Sequence, residues 1–167
     1  MQRFNRILIT GGAGFIGSAL IRKLLKDYSC HIYNLDKLTY ASDLNSINAL
    51  IETLGPKASK RYKFFQVDIS NRELLDNIIN QTKPELIIHV AAETHVDQSI
   101  KNPENFIYSN IVGTFQLLQS SIDYYERISS DIHNKFKFIH ISTDEVFGSL
   151  NNEGYFDEKS PYNPRSP

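Results

Sequence analysis

"RILITGGAGFIGSALIRKLL", residues 6–25, decides the fold. Its opening run, Arg6 to Thr10, is short, mostly apolar and ended by glycines, which reads as a buried strand. Beyond the glycines, Ile16, Leu20, Ile21, Leu24 and Leu25 recur at helical spacing, so the turn opens a helix. Gly11, Gly14 and Gly17 stand between them at Gly-x-x-Gly-x-x-Gly spacing. The first permits a tight turn, the second lets backbone approach a pyrophosphate, and the third lets the helix pack closely on the sheet. Amides free at the helix start would then face the anion. Glycine spacing alone is weak evidence, because ordinary turns use glycine. Here the strand before it, the helix after it and an acid ending the next strand, Asp36, all agree.

The same alternation continues outward. "CHIYNLD" (30–36) is a second strand, and Leu44, Ile47, Leu50, Ile51 and Leu54 predict a helix stopped at Gly55-Pro56. "YKFFQVD" (62–68) is a third strand. Ser70 and Glu73 have the spacing of a capping box, and Leu74, Leu75, Ile78 and Ile79 continue that helix. After Pro84, "ELIIHVAAE" (85–93) is a fourth strand. Asn102-Pro103 opens another helix, with proline at its first position. "KFKFIHIS" (135–142) is the fifth strand. Strands alternating with helices predict an α/β fold, a Rossmann-type doubly wound parallel sheet. From Thr143 the periodicity stops and a polar stretch with three prolines follows. The expected division is a dinucleotide-binding Rossmann domain over 1–148 and a polar loop over 149–167. The chain reads as cut inside a longer protein, before a small substrate domain.

Composition narrows the function classes. Among 167 residues, 41% are hydrophobic and 22% charged, as in ordinary globular domains. A formal charge of −1 gives no electrostatic case for nucleic acid or a membrane surface. No apolar run is long enough to span a bilayer, and "MQRFNRILIT" lacks the pattern of a signal peptide. Cys30 is the single cysteine, so no disulfide framework exists and a reducing cytoplasm fits best.

Asp36 is placed to accept hydrogen bonds from an adenosine ribose, and an acid there repels a 2′-phosphate, favouring NAD over NADP. Lys37 beside it works the other way, since a cation could tolerate that phosphate. Asp68-Ile69 ends the third strand where an adenine edge would lie. "VAAET" (90–94) offers small residues where a cofactor must pass closely. Histidines 89 and 140 read as core or cofactor-edge residues, His95 as a neighbour of the site, and His31 and His133 as surface positions. Their spacing predicts no metal site.

"ITGGAGFIGSALIRKLL", "NLDKLTYASDLNSI", "HVAAETHVDQSI", "SNIVGT" and "HISTDEVFG" together resemble the extended short-chain dehydrogenase/reductase family, and within it the nucleotide-sugar dehydratases. The resemblance implies NAD as cofactor and dTDP-glucose as substrate, in deoxysugar and surface-polysaccharide synthesis. It implies NAD contacts at Phe15, Ile16, Asp36, Lys37, Leu38, Thr39, Asp68, Ile69, Val90, Ala91, Ala92, Glu93, Thr94 and Ser109. Thr94 and Thr143 would meet the substrate, Asp144 would be the acid and Glu145 the base. Asn110 resembles a helix asparagine that organises a water. Such a reaction must remove one proton and donate another, which two carboxyls of divided pKa can do. The family's Tyr-x-x-x-Lys pair has no counterpart in the expected place; Tyr155 and Lys159 match its spacing only by coincidence. Turnover is therefore expected to need sequence beyond Pro167. Dimerisation through the 103–125 helix is also implied. An inert dinucleotide-binding remnant, or another epimerase or decarboxylase of the family, remain the alternatives.

Overall fold

The computed structural model describes residues 4–150 and 154–165, excepting the side chain of Val96. Five parallel strands form one sheet: β1 (Arg6–Thr10), β2 (His31–Asp36), β3 (Tyr62–Gln66), β4 (Leu86–His89) and β5 (Lys137–His140). Their spatial order is β3-β2-β1-β4-β5, so the chain moves outward one way from β1 and then restarts on its other side. Register pairs Thr10 with Leu35 on one side and with His89 on the other.

Period-two alternation along β1 puts its side chains on both faces. Leu8 joins Leu35, Ile87 and helix residues Leu75, Ile79 and Leu117 on one face. Ile7 and Ile9 join Ile32, Ile88 and helix residues Ile21, Leu25 and Ile47 on the other. Helices α1 (Phe15–Asp27) and α2 (Asn45–Leu54) therefore cover one face. Helices α4 (Arg72–Thr82) and α7 (Thr114–Arg127) cover the opposite one. Short helices α3 (Pro56–Ser59), α5 (Val96–Lys101), α6 (Pro103–Phe106) and α8 (Ser130–His133) complete the connections. Switching faces at β1 and β4 leaves a crevice above the strands' carboxyl ends, where such sheets hold ligands.

Several local expectations need correction. The strands are shorter than their apolar runs: β4 stops at His89 and β5 at His140, although the apolar pattern continued to 93 and 142. Past those points the backbone has no parallel neighbour to extend the ladder. The start of α4 is not a Ser70–Glu73 box. Asn71 is the cap, its side chain accepting from the Leu74 amide at 3.1 Å. Ser70 is displaced because its own amide donates to Asp68 Oδ1 at 2.9 Å, forming a tight turn. The one helix expected from 103 is three segments: α6, a π-helical stretch (Ile107–Gly113) and α7. Asn102 precedes α6, but its side chain makes no capping bond.

Beyond β5 the chain is not featureless. Asp144–Phe147 form one turn of 3-10 helix capped by the Thr143 hydroxyl, which accepts from the Glu145 amide at 3.3 Å. Phe147 stacks on Phe156 at 5.2 Å and Tyr162 at 5.6 Å, folding part of the 149–167 segment back onto that turn. Residues 151–153 and 166–167 of that expected loop lie outside the described residues.

Candidate functional site

Gly11 leaves β1 at φ +70°, and a Cβ there would lie 2.6 Å from Ala91 backbone. Only glycine satisfies both demands. Its amide donates to the Leu35 carbonyl at 2.8 Å, which bends the turn over β2. At Gly17 a Cβ would come within 2.2 Å of the Gly11 carbonyl oxygen, so the third glycine packs on the turn itself rather than on the sheet. Gly14 differs: a Cβ there would meet only that same oxygen at 3.4 Å, and the space beyond is open.

Helix α1 starts at this open point with no side-chain cap and no acid in its first turn. Most helices recruit Ser, Thr, Asp or Asn for that purpose, because the first amides otherwise lack acceptors. An uncapped start facing a crevice suits an anionic group. Phe15 and Ile16, the first two helical residues, are 93% and 59% exposed at its mouth.

Across the crevice, Asp36 is 8% exposed and heavily engaged. One oxygen accepts from the Ala13 amide at 2.9 Å. The other accepts from the Leu38 amide at 2.9 Å and from Ser42 Oγ at 3.0 Å. A carboxylate has about four acceptor positions, so the oxygen facing Ala13 keeps capacity for a ribose hydroxyl. Before all else Asp36 builds the 37–43 loop, which Ser42 and the Asp43 amide, bonded to the Ala13 carbonyl at 2.8 Å, close over α1. Leu38 pays for this with φ +60° and turns outward.

The crevice gathers the glycine turn with Phe15 and Ile16, Asp36, Lys37 and Thr39 from the β2 loop, and Ile69 after β3. It also gathers the segment Val90 to Thr94 and Ser109. Leu38 and Asp68 do not line it; Asp68 stands behind Lys37, 4.0 Å from its ammonium. Val67, Ala41 and Ser42 line it without having been singled out, and Ser42 carried no signal because serine in a polar loop is unremarkable.

Segment 90–94 is held at several points, beginning with the Val90 amide, which donates to the Thr10 carbonyl at 3.2 Å. The Ala91 amide donates to Thr10 Oγ1 at 3.3 Å. Asn110 grips Glu93 twice, accepting from its amide at 2.8 Å and donating to its carbonyl at 2.9 Å. Its amide group thus pins backbone, where the resemblance gave it a water. His89, fully buried, bridges Thr10 Oγ1 at 2.7 Å and Thr114 Oγ1 at 2.9 Å. Burial, reinforced by nearby His140, lowers its pKa to about 4, so the ring is neutral at ordinary pH. His140 is exposed, and His133 stacks on Tyr125 at 3.9 Å. Among the described residues no group of His, Cys, Asp or Glu could hold a metal ion.

Thr143, Asp144 and Glu145 follow β5, one strand beyond the segment that carries Glu93 and Thr94. All three are exposed and none lines the crevice. The Thr143 hydroxyl donates to Asp144 Oδ1 at 3.3 Å as well as capping the turn. The 3-10 turn supplies the bend that lets neighbouring carboxyls leave a straight strand's opposed directions. Tyr155 is 85% exposed, and Lys159 belongs to a turn around Asp157.

Comparison with known proteins agrees with this architecture. A family model described as GDP-mannose 4,6 dehydratase matches residues 8–167. The dTDP-glucose 4,6-dehydratase of Neisseria meningitidis serogroup B is 45% identical over 164 residues, covering 98% of this chain and 44% of that protein. The Salmonella typhimurium protein of the same description is 43% identical over 171 residues, covering 46% of its length. Among solved structures, the dTDP-glucose 4,6-dehydratase of Streptomyces venezuelae with NAD bound superposes with a TM-score of 0.80 at 36% identity, over 96% of this chain and 46% of that one. The UDP-glucose 4-epimerase of Thermus thermophilus, in complex with NAD, gives 0.76 at 26% identity over 96% of this chain and 45% of that one. The chain spans under half the length of these relatives. It belongs to the GDP-mannose 4,6 dehydratase family, with dTDP-glucose 4,6-dehydratases among its relatives.

Proposed function

We propose that this chain is the NAD-binding part of a nucleotide-sugar 4,6-dehydratase acting on dTDP-glucose. The observation that carries the reading is one crevice bounded by the uncapped start of α1 on one side and buried Asp36 on the other. Residues 1–148 form the cofactor domain, and 149–167 lead toward the substrate portion. NAD, when bound, supplies a reversible hydride acceptor. The α1 amides would hold its pyrophosphate and Asp36 its ribose, and Val90 to Thr94 would flank the nicotinamide. Thr94 and Thr143 position the sugar. Asp144 protonates the leaving C6 hydroxyl, and Glu145 removes the C5 proton. A cytoplasmic setting suits these soluble cosubstrates, and no helix among the described residues is long and apolar enough to cross a membrane.

Among the described residues Tyr155 and Lys159, which match the spacing of the family's Tyr-x-x-x-Lys pair, lie outside the crevice, so our reading is that residues 1–167 alone do not turn over. Calorimetric titration with NAD, followed by incubation with dTDP-glucose and detection of a 4-keto sugar, tests both parts. Binding without product is expected, and product should appear once a chain carrying that pair is supplied. Product from residues 1–167 alone would overturn the dependence, and absence of NAD binding would overturn the cofactor reading. Ile111, Phe115 and Ile122 are 63%, 55% and 47% exposed along the helix that continues into α7. We assign this stripe to a homodimer contact; light scattering should find a dimer that Phe115→Glu dissociates, and a monomeric parent chain would refute it.

A further inference from the structure

Two acids line one side of the crevice, Asp36 at the end of β2 and Glu93 after β4, and a third, Asp68 after β3, stands just behind them. Lys37 is set among them. Its ammonium donates to Ser109 Oγ at 2.7 Å, pairs with Glu93 Oε1 at 3.2 Å and stands 4.0 Å from Asp68 Oδ2. Ser109 is buried in the π-helical stretch, next to the Asn110 that grips Glu93 backbone. One side chain thus ties the loop after β2 to the end of β4 and to the helix packed over it. An ammonium has three protons, and two are committed to Ser109 and Glu93 while Asp68 faces the third. As a phosphate reader Lys37 would have to leave these partners.

We propose that Lys37 is a positioning residue: its ammonium braces Glu93 and Ser109 across the crevice and does not read the 2′ position of the cofactor. The proposal rests on the dinucleotide reading above. Removing the charge unties the Glu93 side chain from the β2 loop and Ser109, leaves the 90–94 backbone on Thr10 and Asn110 alone, and strips Glu93 and Asp68 of their cation beside an anionic pyrophosphate. Both effects act on the part common to all dinucleotides. They should therefore weaken NAD and NADP by the same factor, whereas a lysine that reads the phosphate would matter to NADP alone.

Calorimetric titration of the chain with NAD and with NADP, repeated for Lys37→Met, Lys37→Arg, Glu93→Gln and the Lys37→Met/Glu93→Gln double variant, tests this. Lys37→Met should weaken both ligands about tenfold, the equivalent of one charge-assisted contact, and leave their ratio unchanged. Lys37→Arg should restore most of the affinity, because a guanidinium can also serve both acceptors. In the Glu93→Gln background the loss should shrink to about threefold or less, the sign of coupling between contacting residues. A loss confined to NADP, or one undiminished in that background, would overturn the proposal. Amide exchange in the free chain reads the brace independently of any cofactor. Lys37→Met should speed exchange at the Glu93 amide, whose acceptor Asn110 sits beside the Ser109 that Lys37 holds, while leaving the Leu8 and Ile87 amides protected. Unchanged protection at Glu93 overturns the brace; failure of the parent chain to bind either dinucleotide, with faster exchange at Glu93 in Lys37→Met, would overturn only the cofactor reading.

Discussion

Replacing Asp36 by asparagine separates a carboxylate that merely greets a ligand from one that builds the loop beneath it. Asparagine keeps the shape but presents an NH2 where one oxygen stood. If its carbonyl stays with Leu38 and Ser42, two bonds survive and two donors confront each other at Ala13, which is 1% exposed. The flipped arrangement keeps Ala13 but sets that NH2 against the Leu38 amide and makes the Ser42 hydroxyl accept rather than donate; the substitution therefore orphans one backbone amide in either rotamer. It removes one charge-assisted bond, roughly 1.5–3 kcal/mol, and orphans a buried amide at about 1–3 kcal/mol, two views of the same broken contact. The net expectation is a loss of about 2–3 kcal/mol, or a fall in melting temperature of about 5–10 °C for a chain of this size. Urea unfolding followed by far-ultraviolet circular dichroism measures it, with an unchanged m value confirming that only stability moved. Ser42→Ala removes a hydroxyl that donates to Asp36 and accepts from the Thr39 amide at 3.1 Å, both part-buried, and leaves the Leu38 and Ala13 bonds, so its loss should stay under about 2 kcal/mol. An Asp36→Asn loss below about 1 kcal/mol, or one no larger than that of Ser42→Ala, would refute a loop-building role.

Three further outcomes follow from the same geometry. His89 has a folded pKa of about 4 against an ordinary 6.5, so as pH falls the unfolded chain takes the proton first. Its contribution is intact above 6.5 and is lost between 6.5 and about 4, at roughly 1.4 kcal/mol per pH unit; urea midpoints should fall more steeply with acidification in the parent chain than in His89→Gln, and parallel curves would contradict this. Arg61 donates to the carbonyls of Leu25, Tyr28 and Cys30 at 2.9, 2.7 and 3.2 Å, closing the end of α1. Arg61→Met should cost about 2 kcal/mol in urea unfolding and Arg61→Lys less, because a single ammonium cannot span all three. Lys83 ends α4 at φ +46°, a left-handed cap, so Lys83→Gly should be neutral or raise the melting temperature by the equivalent of up to about 1 kcal/mol. A clear drop there would mean that the lysine side chain holds the cap.

How far the sequence carries depends on the range of the forces involved. The strand–glycine–helix run at 6–25 was legible because apolar periodicity and glycine turns are properties of neighbouring residues. Four later strands and three principal helices could be read for the same reason. The acid at the end of β2 was also legible, since its place follows from counting along a strand. By contrast, Ser70 looked like the cap of α4, and only the turn made with Asp68 hands that role to Asn71. The strand ends at 89 and 140 depended on where partner strands stop, which no local pattern records.

The sequence by itself determined an alternating α/β chain with a phosphate-sized glycine turn and an acid opposite it. Tertiary structure alone decided what the polar side chains do with one another. It gave Asp36 to Ala13, Leu38 and Ser42, Lys37 to Glu93 and Ser109, and Asn110 to the backbone of Glu93. Those partners lie up to 72 positions apart in the chain. Backbone propensity acts between neighbours, whereas a hydrogen bond forms wherever packing brings a donor to an acceptor; the packing of α1 and the π-helical stretch against the sheet does that here.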